Sequence, residues 1–328
     1  MEELKPESPE LRTSGNLEMN IASPSDRRFY IGFTVGVPGL GKSFMIKKLK
    51  DVVAISSNHT MEVSVSDQAR SGHLAKYYQE HKIDLNKLTH DEIFKIEVDQ
   101  GPAIKQALLD DIVTRLKTLR DGHQKHNFFV IDKNLSAQSL ITFVEEQVSK
   151  ILSGFKVQYF IVIPNQPELA GDRSFYPFHI DTVLVGLYRS LNRKEHVTMK
   201  FGPVHSLLSF TSCLEGQIKD NFDQKFPEGK YQRLYVRYYL KDKSSSAKES
   251  SKDITAACTK LRELLLDIIN KKTTCEKAAA EIVNLVQVIE PMNIFGDFGQ
   301  EAFEKFLEHV EKDFESTFHR PESYGKQL

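Results

Sequence analysis

Tryptophan is absent from the 328 residues and cysteine is scarce: Cys213, Cys258 and Cys275 stand far apart in helix-like contexts. That spacing excludes a disulfide framework and a cysteine-paired zinc site, so buried or idle thiols are expected. No run approaches the ~18 to 20 apolar residues that cross a bilayer. The opening residues, MEELKPESPELRTSGNLEMNIASPSD, lack both the apolar stretch of a secretion signal and the Arg-rich, acid-poor character of a transit peptide. An intracellular protein, cytoplasmic or nuclear and without membrane contact, is the expectation. A dominant charge is missing too. A net charge of −1 and a pI near 6.8 argue against coating a long nucleic acid through an overall field. A grip on a strand end stays open, because RSLNRKEHVTMK, from Arg189 to Lys200, carries four Lys/Arg against one Glu.

What is present is the composition of an ordinary globular chain, 40% hydrophobic and 27% charged, long enough for one large α/β domain with a smaller appendage. Residues 1–27 show no apolar periodicity and read as a flexible tail. Residues 28–242 alternate strand and helix. RFYIGFTV, TMEVSVSD, NFFVID and KVQYFIVIP are short apolar or alternating runs, separated by helical patterns such as GKSFMIKKLKDVV and SAQSLITFVEEQVSKIL. Thr89 and Glu92 have capping-box spacing, and after an interruption at Gly101-Pro102 the residues Ile104, Leu108, Ile112, Leu116 and Leu119 share one helical face. Strands separated by helices call for a parallel sheet with right-handed crossovers. FHIDTVLVGLYRSLNR and VHSLLSFTSCLEGQI read as two further helices and YQRLYVRYYL as a strand. Residues 243–251 form a serine- and lysine-rich linker. Residues 252–328 carry helical stripes and form a helical C-terminal module, either a shell on the α/β core or a domain of its own.

Gly36-Val-Pro38-Gly39-Leu-Gly41-Lys42-Ser43 is a complete G-x4-G-K-S phosphate-binding loop between a predicted strand and a predicted helix. Its glycines let backbone N–H groups turn toward phosphates, Lys42 reaches the β- and γ-phosphates, and Ser43 ligates magnesium. The fold class is therefore a P-loop NTPase-type parallel α/β sheet with flanking helices. Asp67, read as the end of a strand, with Arg70 three residues on, faces the same crevice. Asp67 can take the proton of an acceptor hydroxyl and Arg70 can bind an acceptor phosphate; the plainer role for Asp67 is a helix N-cap. Asp132, closing FFVID, has the character of a magnesium-holding carboxylate, or of a turn residue followed by Lys133 and Asn134. Arg189 and Arg193 are four apart and share a helix face, where a bound anion would relieve their repulsion; a solvated basic face is the alternative. No N-K-x-D guanine-reading element is present.

GVPGLGKS followed by Asp67-Gln-Ala-Arg70 resembles the P-loop and D-x-x-R pair of phage-type polynucleotide 5′-kinases. FFVIDKN resembles a strand end of the kinase domain of plant and fungal tRNA ligases, and YPFHIDTVLVGLYRSLNRKEH with LLSFTSCLEG is similar to a further segment of that domain. The resemblance spans roughly Phe29 to Gln217. It implies that Asp67 is the general base, that Arg70 contacts the acceptor phosphate, and that Arg189 or Arg193 is the lid arginine on the donor phosphates. His196-Val-Thr198 matches half of the paired H-x-T motif of 2H phosphodiesterases; without a second motif, a lid or loop position is expected for His196. No adenylyltransferase lysine motif precedes the kinase region, so RNA sealing by this chain alone is not expected.

The resulting expectation is an ATP- or GTP-dependent, magnesium-requiring kinase of RNA 5′-hydroxyl ends, in RNA repair or tRNA splicing, with a separate RNA ligase as a further partner. The alternatives are a small-molecule or nucleoside kinase, and a noncatalytic NTP-binding partner of such a ligase.

Overall fold

A computed structural model of the chain describes residues 26–54, 58–133, 137–164, 174–192, 202–219, 222–236 and 250–289. Strand β1 (Arg28–Thr34) leads through the glycine-rich turn into α1 (Lys42–Val53). Strand β2 (His59–Val65) is followed by α2 (Ser66–Glu80), α3 (His90–Asp99) and α4 (Gly101–Asp121), then β3 (His126–Asp132). Next come α5 (Gln138–Ile151), β4 (Lys156–Pro164), α6 (Ile180–Asn192), α7 (Pro203–Lys219), the single-turn α8 (Phe222–Lys225) and β5 (Tyr231–Val236). Helices α9 (Ser250–Ile269) and α10 (Cys275–Ile289) complete the described chain. The five strands form one parallel sheet in the order β2-β3-β1-β4-β5, the P-loop NTPase-type α/β architecture expected from the strand and helix alternation. Among the described residues no helix is long and apolar enough to cross a membrane.

Local signals set the helix ends. Thr89 accepts a hydrogen bond from the Glu92 N–H (3.3 Å) while Glu92 accepts from the Thr89 N–H (2.8 Å), closing the capping box of α3. Pro102 stands in the first turn of α4, where its missing N–H has no helical partner to lose. At the site a boundary differs from the sequence reading: β2 stops at Val65, so Asp67 belongs to the first turn of α2 and not to the strand end. The Ser66-Asp67 pair favours a helix start over further pairing.

Strand order and chirality together decide which helix covers which face. Only the β1-to-β2 connection runs toward the β2 edge; the other three run the opposite way. Right-handed crossovers then place α1 alone on one face of the sheet. The packing agrees. Met45, Ile46, Leu49 and Val53 of α1 are buried against Tyr30, Met61, Phe128, Val130, Phe160 and Val162. The alternate strand residues Phe29, Ile31, Phe33, Phe129, Ile131 and Ile161 pack on the other face with Leu108, Ile112 and Leu116 of α4, Ile141 and Val144 of α5, and Leu207, Phe210 and Leu214 of α7. Each such side chain contributes about 1.5–3 kcal/mol over its exposed state. On the α1 face, Gly32 is open where a Cβ would fall 2.2–2.8 Å from ring atoms of Phe160, its registered neighbour on β4.

Helices α9 and α10 join this second core through Leu261, Leu265, Ile282 and Val286. Thr211 of α7 lies 3.4 Å from Cys275 Sγ at the head of α10. At the other end, Arg27, assigned to the tail from sequence, is buried and donates to the carbonyls of Leu119 and Arg120 (2.7 Å each) and of Gln124 (3.3 Å). A cation on the last carbonyls of α4 satisfies acceptors that have no helical partner.

Candidate functional site

Connections from β1 and β3 leave toward opposite faces of the sheet, so the carboxyl ends of these neighbours bound the switch-point crevice of an open α/β sheet. Thr34, Val65 and Asp132 lie at one level there, since Val65 is registered with Asp132 and Phe33 with Ile131. Val35 N–H still bonds the Val162 carbonyl (3.0 Å), after which the chain turns into the P-loop.

Gly39 and Gly41 take φ values of +83° and +72°, a backbone region that residues with a Cβ rarely enter. This curls the loop so that the Lys42 ammonium, 4% exposed, donates back to the carbonyls of Gly36 (3.1 Å) and Val37 (2.7 Å). Pro38 is buried within the same turn. Ser43, one residue into α1, donates from Oγ to Asp132 Oδ2 at 2.5 Å.

Asp132 is the buried acid of the crevice, 5% exposed. Burial raises its pKa; the Ser43 hydrogen bond and the Lys42 charge oppose that, and the Asp67 charge reinforces it. Thr34 Oγ1 approaches Asp132 Oδ1 at 3.3 Å and accepts from the Lys133 N–H at 3.2 Å, which orients the carboxylate. Sequence reading passed over Thr34. Its signal was a hydroxyl residue closing the strand just before the P-loop, level with the acid on the next strand.

Asp67 stands on the outer side of this pair, exposed in the first turn of α2. It is not the cap of that helix: the N-cap position is Val65, with no side-chain capping bond. The two carboxylates are close enough for Asp67 to influence the titration of Asp132, yet one is dry and bonded to the P-loop serine while the other meets solvent. Arg70, one turn along α2, shares its surroundings with Lys105 of α4 and Lys133. Burial lowers the Lys133 pKa, and the Lys105 and Arg70 charges lower it further. Among the described residues none of these three cations has a salt-bridge partner. His73 of α2 and Gln100, preceding α4, are 3.0 Å apart and tie the two helices at this edge.

On the opposite side α6 lies against the P-loop. A Cβ placed on Gly41 would sit 3.7 Å from a guanidinium nitrogen of Arg189, so this arginine stands beside the loop. Arg193, Lys194, His196, Thr198 and Lys200 lie outside the described residues, as does Asn134. The structure thus brings together Lys42, Ser43, Asp132, Asp67, Arg70 and Arg189 around one crevice.

A magnesium ion fits this donor set. Among the described residues no group of three or more His, Cys, Asp or Glu could hold a metal by itself. The Ser43 hydroxyl and the Asp132 carboxylate instead offer two hard oxygens, the share a protein contributes when phosphates and water complete magnesium's octahedron.

No protein-family model matches the chain, and no curated protein matches it. Among solved structures it is similar to the crystal structure of a fungal RNA kinase, at 14% identity and a TM-score of 0.37, over 86% of this chain and 97% of that one. It is also similar to a structure of the PezAT chromosomal toxin-antitoxin system of Streptococcus pneumoniae, at 16% identity and a TM-score of 0.33, over 92% of this chain and 90% of that one.

Proposed function

We propose that the chain is a phosphotransferase that moves the γ-phosphate of a nucleoside triphosphate, ATP or GTP, to the 5′-hydroxyl of an RNA end, in RNA repair or tRNA splicing. The observation that carries the reading is the division of labour between two nearby carboxylates. Asp132 is buried on the P-loop serine, and Asp67, open to solvent, heads α2 with a basic cluster beside it.

In this reading the P-loop N–H groups and Lys42 hold the donor phosphates, and Ser43 with Asp132 holds magnesium, which when bound neutralises charge on the phosphate oxygens. Asp67 accepts the proton of the attacking hydroxyl. Asp67, exposed at the head of α2, is placed to hand that proton on to solvent, whereas the Asp132 carboxylate is buried and engaged by the P-loop serine. Arg189 faces the phosphates from α6 and offsets the charge that spreads over them during transfer.

Arg70, Lys105 and Lys133 favour a polyanionic acceptor over a neutral nucleoside, because three cations with no salt-bridge partner among the described residues gain most from a phosphate-bearing ligand. The test presents the chain with a 5′-hydroxyl oligoribonucleotide, an oligodeoxynucleotide, a nucleoside 3′-phosphate and a free nucleoside, each with four triphosphates. Transfer to the oligoribonucleotide and little to the nucleoside is expected. In Arg70→Ala the KM for phosphate-bearing acceptors should rise, with any nucleoside reaction unchanged. Equal use of nucleoside and oligonucleotide, insensitive to Arg70→Ala, would replace this reading with a small-molecule kinase. Triphosphate binding without transfer to any acceptor would make the chain a noncatalytic partner of a separate ligase.

A further inference from the structure

Helix α6 touches the P-loop backbone, and two of its residues account for the closeness. A Cβ on Gly186 would fall 2.7 Å from Val37 Cγ2 and 2.8 Å from the Pro38 carbonyl oxygen. A Cβ on Gly39 would fall 2.4 Å from the Gly186 carbonyl oxygen and 2.9 Å from Ser190 Oγ. The helix and the loop therefore meet glycine to glycine, and neither position accepts a side chain without one of them moving. Ser190, one turn beyond Gly186, is fully buried, and its hydroxyl has no hydrogen-bond partner among the described residues. Leaving a buried hydroxyl unmatched is unfavourable, and helical serines commonly relieve it by bonding back to the i−4 carbonyl. Here that carbonyl belongs to Gly186 and faces Gly39. Arg189 lies between these two residues in sequence, with its guanidinium beside Gly41.

We infer that Gly186 and Ser190 are positioning residues for phosphoryl transfer: they seat α6 on the P-loop, and the seat sets where Arg189 stands relative to the donor phosphates. Gly186 provides the close approach. The Ser190 hydroxyl, facing the loop with no partner among the described residues, gains one when phosphates fill the loop and its backbone settles around them. Helix α6 and the P-loop then act as one donor-binding unit. The inference rests on the phosphotransferase reading above.

Three variants test it: Gly186→Ala, Ser190→Ala and Arg189→Ala, with the Gly186→Ala/Arg189→Ala double variant. Melting with and without magnesium-ATP or magnesium-GTP and steady-state transfer to a 5′-hydroxyl oligoribonucleotide are measured for each. Ser190→Ala should melt at the same or a higher temperature without nucleotide, because an unmatched hydroxyl is removed. It should be stabilised less by the nucleotide and lose about 2- to 10-fold in kcat/KM for the donor, the worth of one hydrogen bond made only in the bound state. Gly186→Ala should lower kcat more than it raises the donor KM. The double variant should be little worse than Arg189→Ala alone, as expected when one residue acts through the other.

A Ser190→Ala protein with wild-type nucleotide stabilisation and turnover overturns the inference, and so does strict additivity of Gly186→Ala and Arg189→Ala. If Gly186→Ala fails to fold, Ser190→Ala decides alone. Absence of nucleotide binding or transfer in the wild-type chain would instead overturn the phosphotransferase reading.

Discussion

Ser43 Oγ donates to Asp132 Oδ2 at 2.5 Å, joining the first turn of α1 to the end of β3 across the crevice. The bond brings together a hydroxyl from the phosphate-binding loop and a carboxylate from the adjacent strand, the pair of oxygens that suits magnesium.

Ser43→Ala should therefore raise the magnesium concentration needed for half-maximal transfer and lower transfer at saturating magnesium by at least about tenfold. Its melting temperature should fall only modestly, because Asp132 loses the Ser43 hydrogen bond but keeps the Thr34 contact (3.3 Å). Asp132→Ala should be more damaging to the fold, by about 0.5–1.5 kcal/mol, since it removes the acceptor shared by the Ser43 and Thr34 hydroxyls, although Thr34 keeps the Ile131 and Lys133 carbonyls (3.4 Å each). Magnesium titrations of activity and urea unfolding of both variants check the contrast. Unchanged magnesium dependence in Ser43→Ala would remove the pair from metal binding.

Arg27 anchors the start of β1 to the end of α4 through three carbonyls. Arg27→Ala should lower unfolding stability by about 1.5–3 kcal/mol, the range for hydrogen bonds to a charged group. Arg27→Lys should recover only part of it, because an ammonium cannot match the planar fork. Urea unfolding midpoints measure both. A midpoint for Arg27→Ala within error of wild type would return this residue to the tail.

That residue also marks where sequence reading stops. The strands, the P-loop, the capping box at Thr89 and Glu92, and the buried stripe of α4 were legible because each depends on neighbours within a few positions. The partners of Arg27, about 90 residues on, leave no local trace, nor does the meeting of Gly39 with Gly186. Asp67 was read as a strand end because TMEVSVSD keeps its alternation to the last residue, whereas the chain turns helical at Ser66. The fifth strand was visible, but its parallel pairing with β4 required knowing that α6, α7 and α8 form the crossover.

His126 opens β3 with its Nδ1 3.1 Å from the Tyr30 hydroxyl, and its pKa is pushed down from 6.5 to about 4, first by burial and then by the charges of His59, Lys125 and Arg28. The folded state keeps the ring neutral while the unfolded chain binds the proton near 6.5. The stability carried by the neutral ring is thus complete above that value and falls as the pH drops toward 4. Discounted for partial exposure, the loss between about pH 7.5 and about pH 5 should be roughly 1–2 kcal/mol. His126→Gln, which does not titrate, should show a smaller loss over the same interval in urea unfolding at the two pH values. An identical loss would assign the acid sensitivity to other groups.

The central claim is that Asp67 takes the proton from an RNA 5′-hydroxyl while Asp132 stays with the P-loop. Its most direct test is the rate of transfer of labelled γ-phosphate to a 5′-hydroxyl oligoribonucleotide by wild type and Asp67→Asn, with triphosphate binding measured alongside. Asparagine keeps the size of the side chain and removes only its capacity to hold the proton. The account predicts transfer by wild type and a loss of about 10²- to 10⁴-fold in Asp67→Asn, with triphosphate affinity retained. Transfer by Asp67→Asn within a few-fold of wild type, or wild-type release of the γ-phosphate to water with none on the RNA, would contradict it.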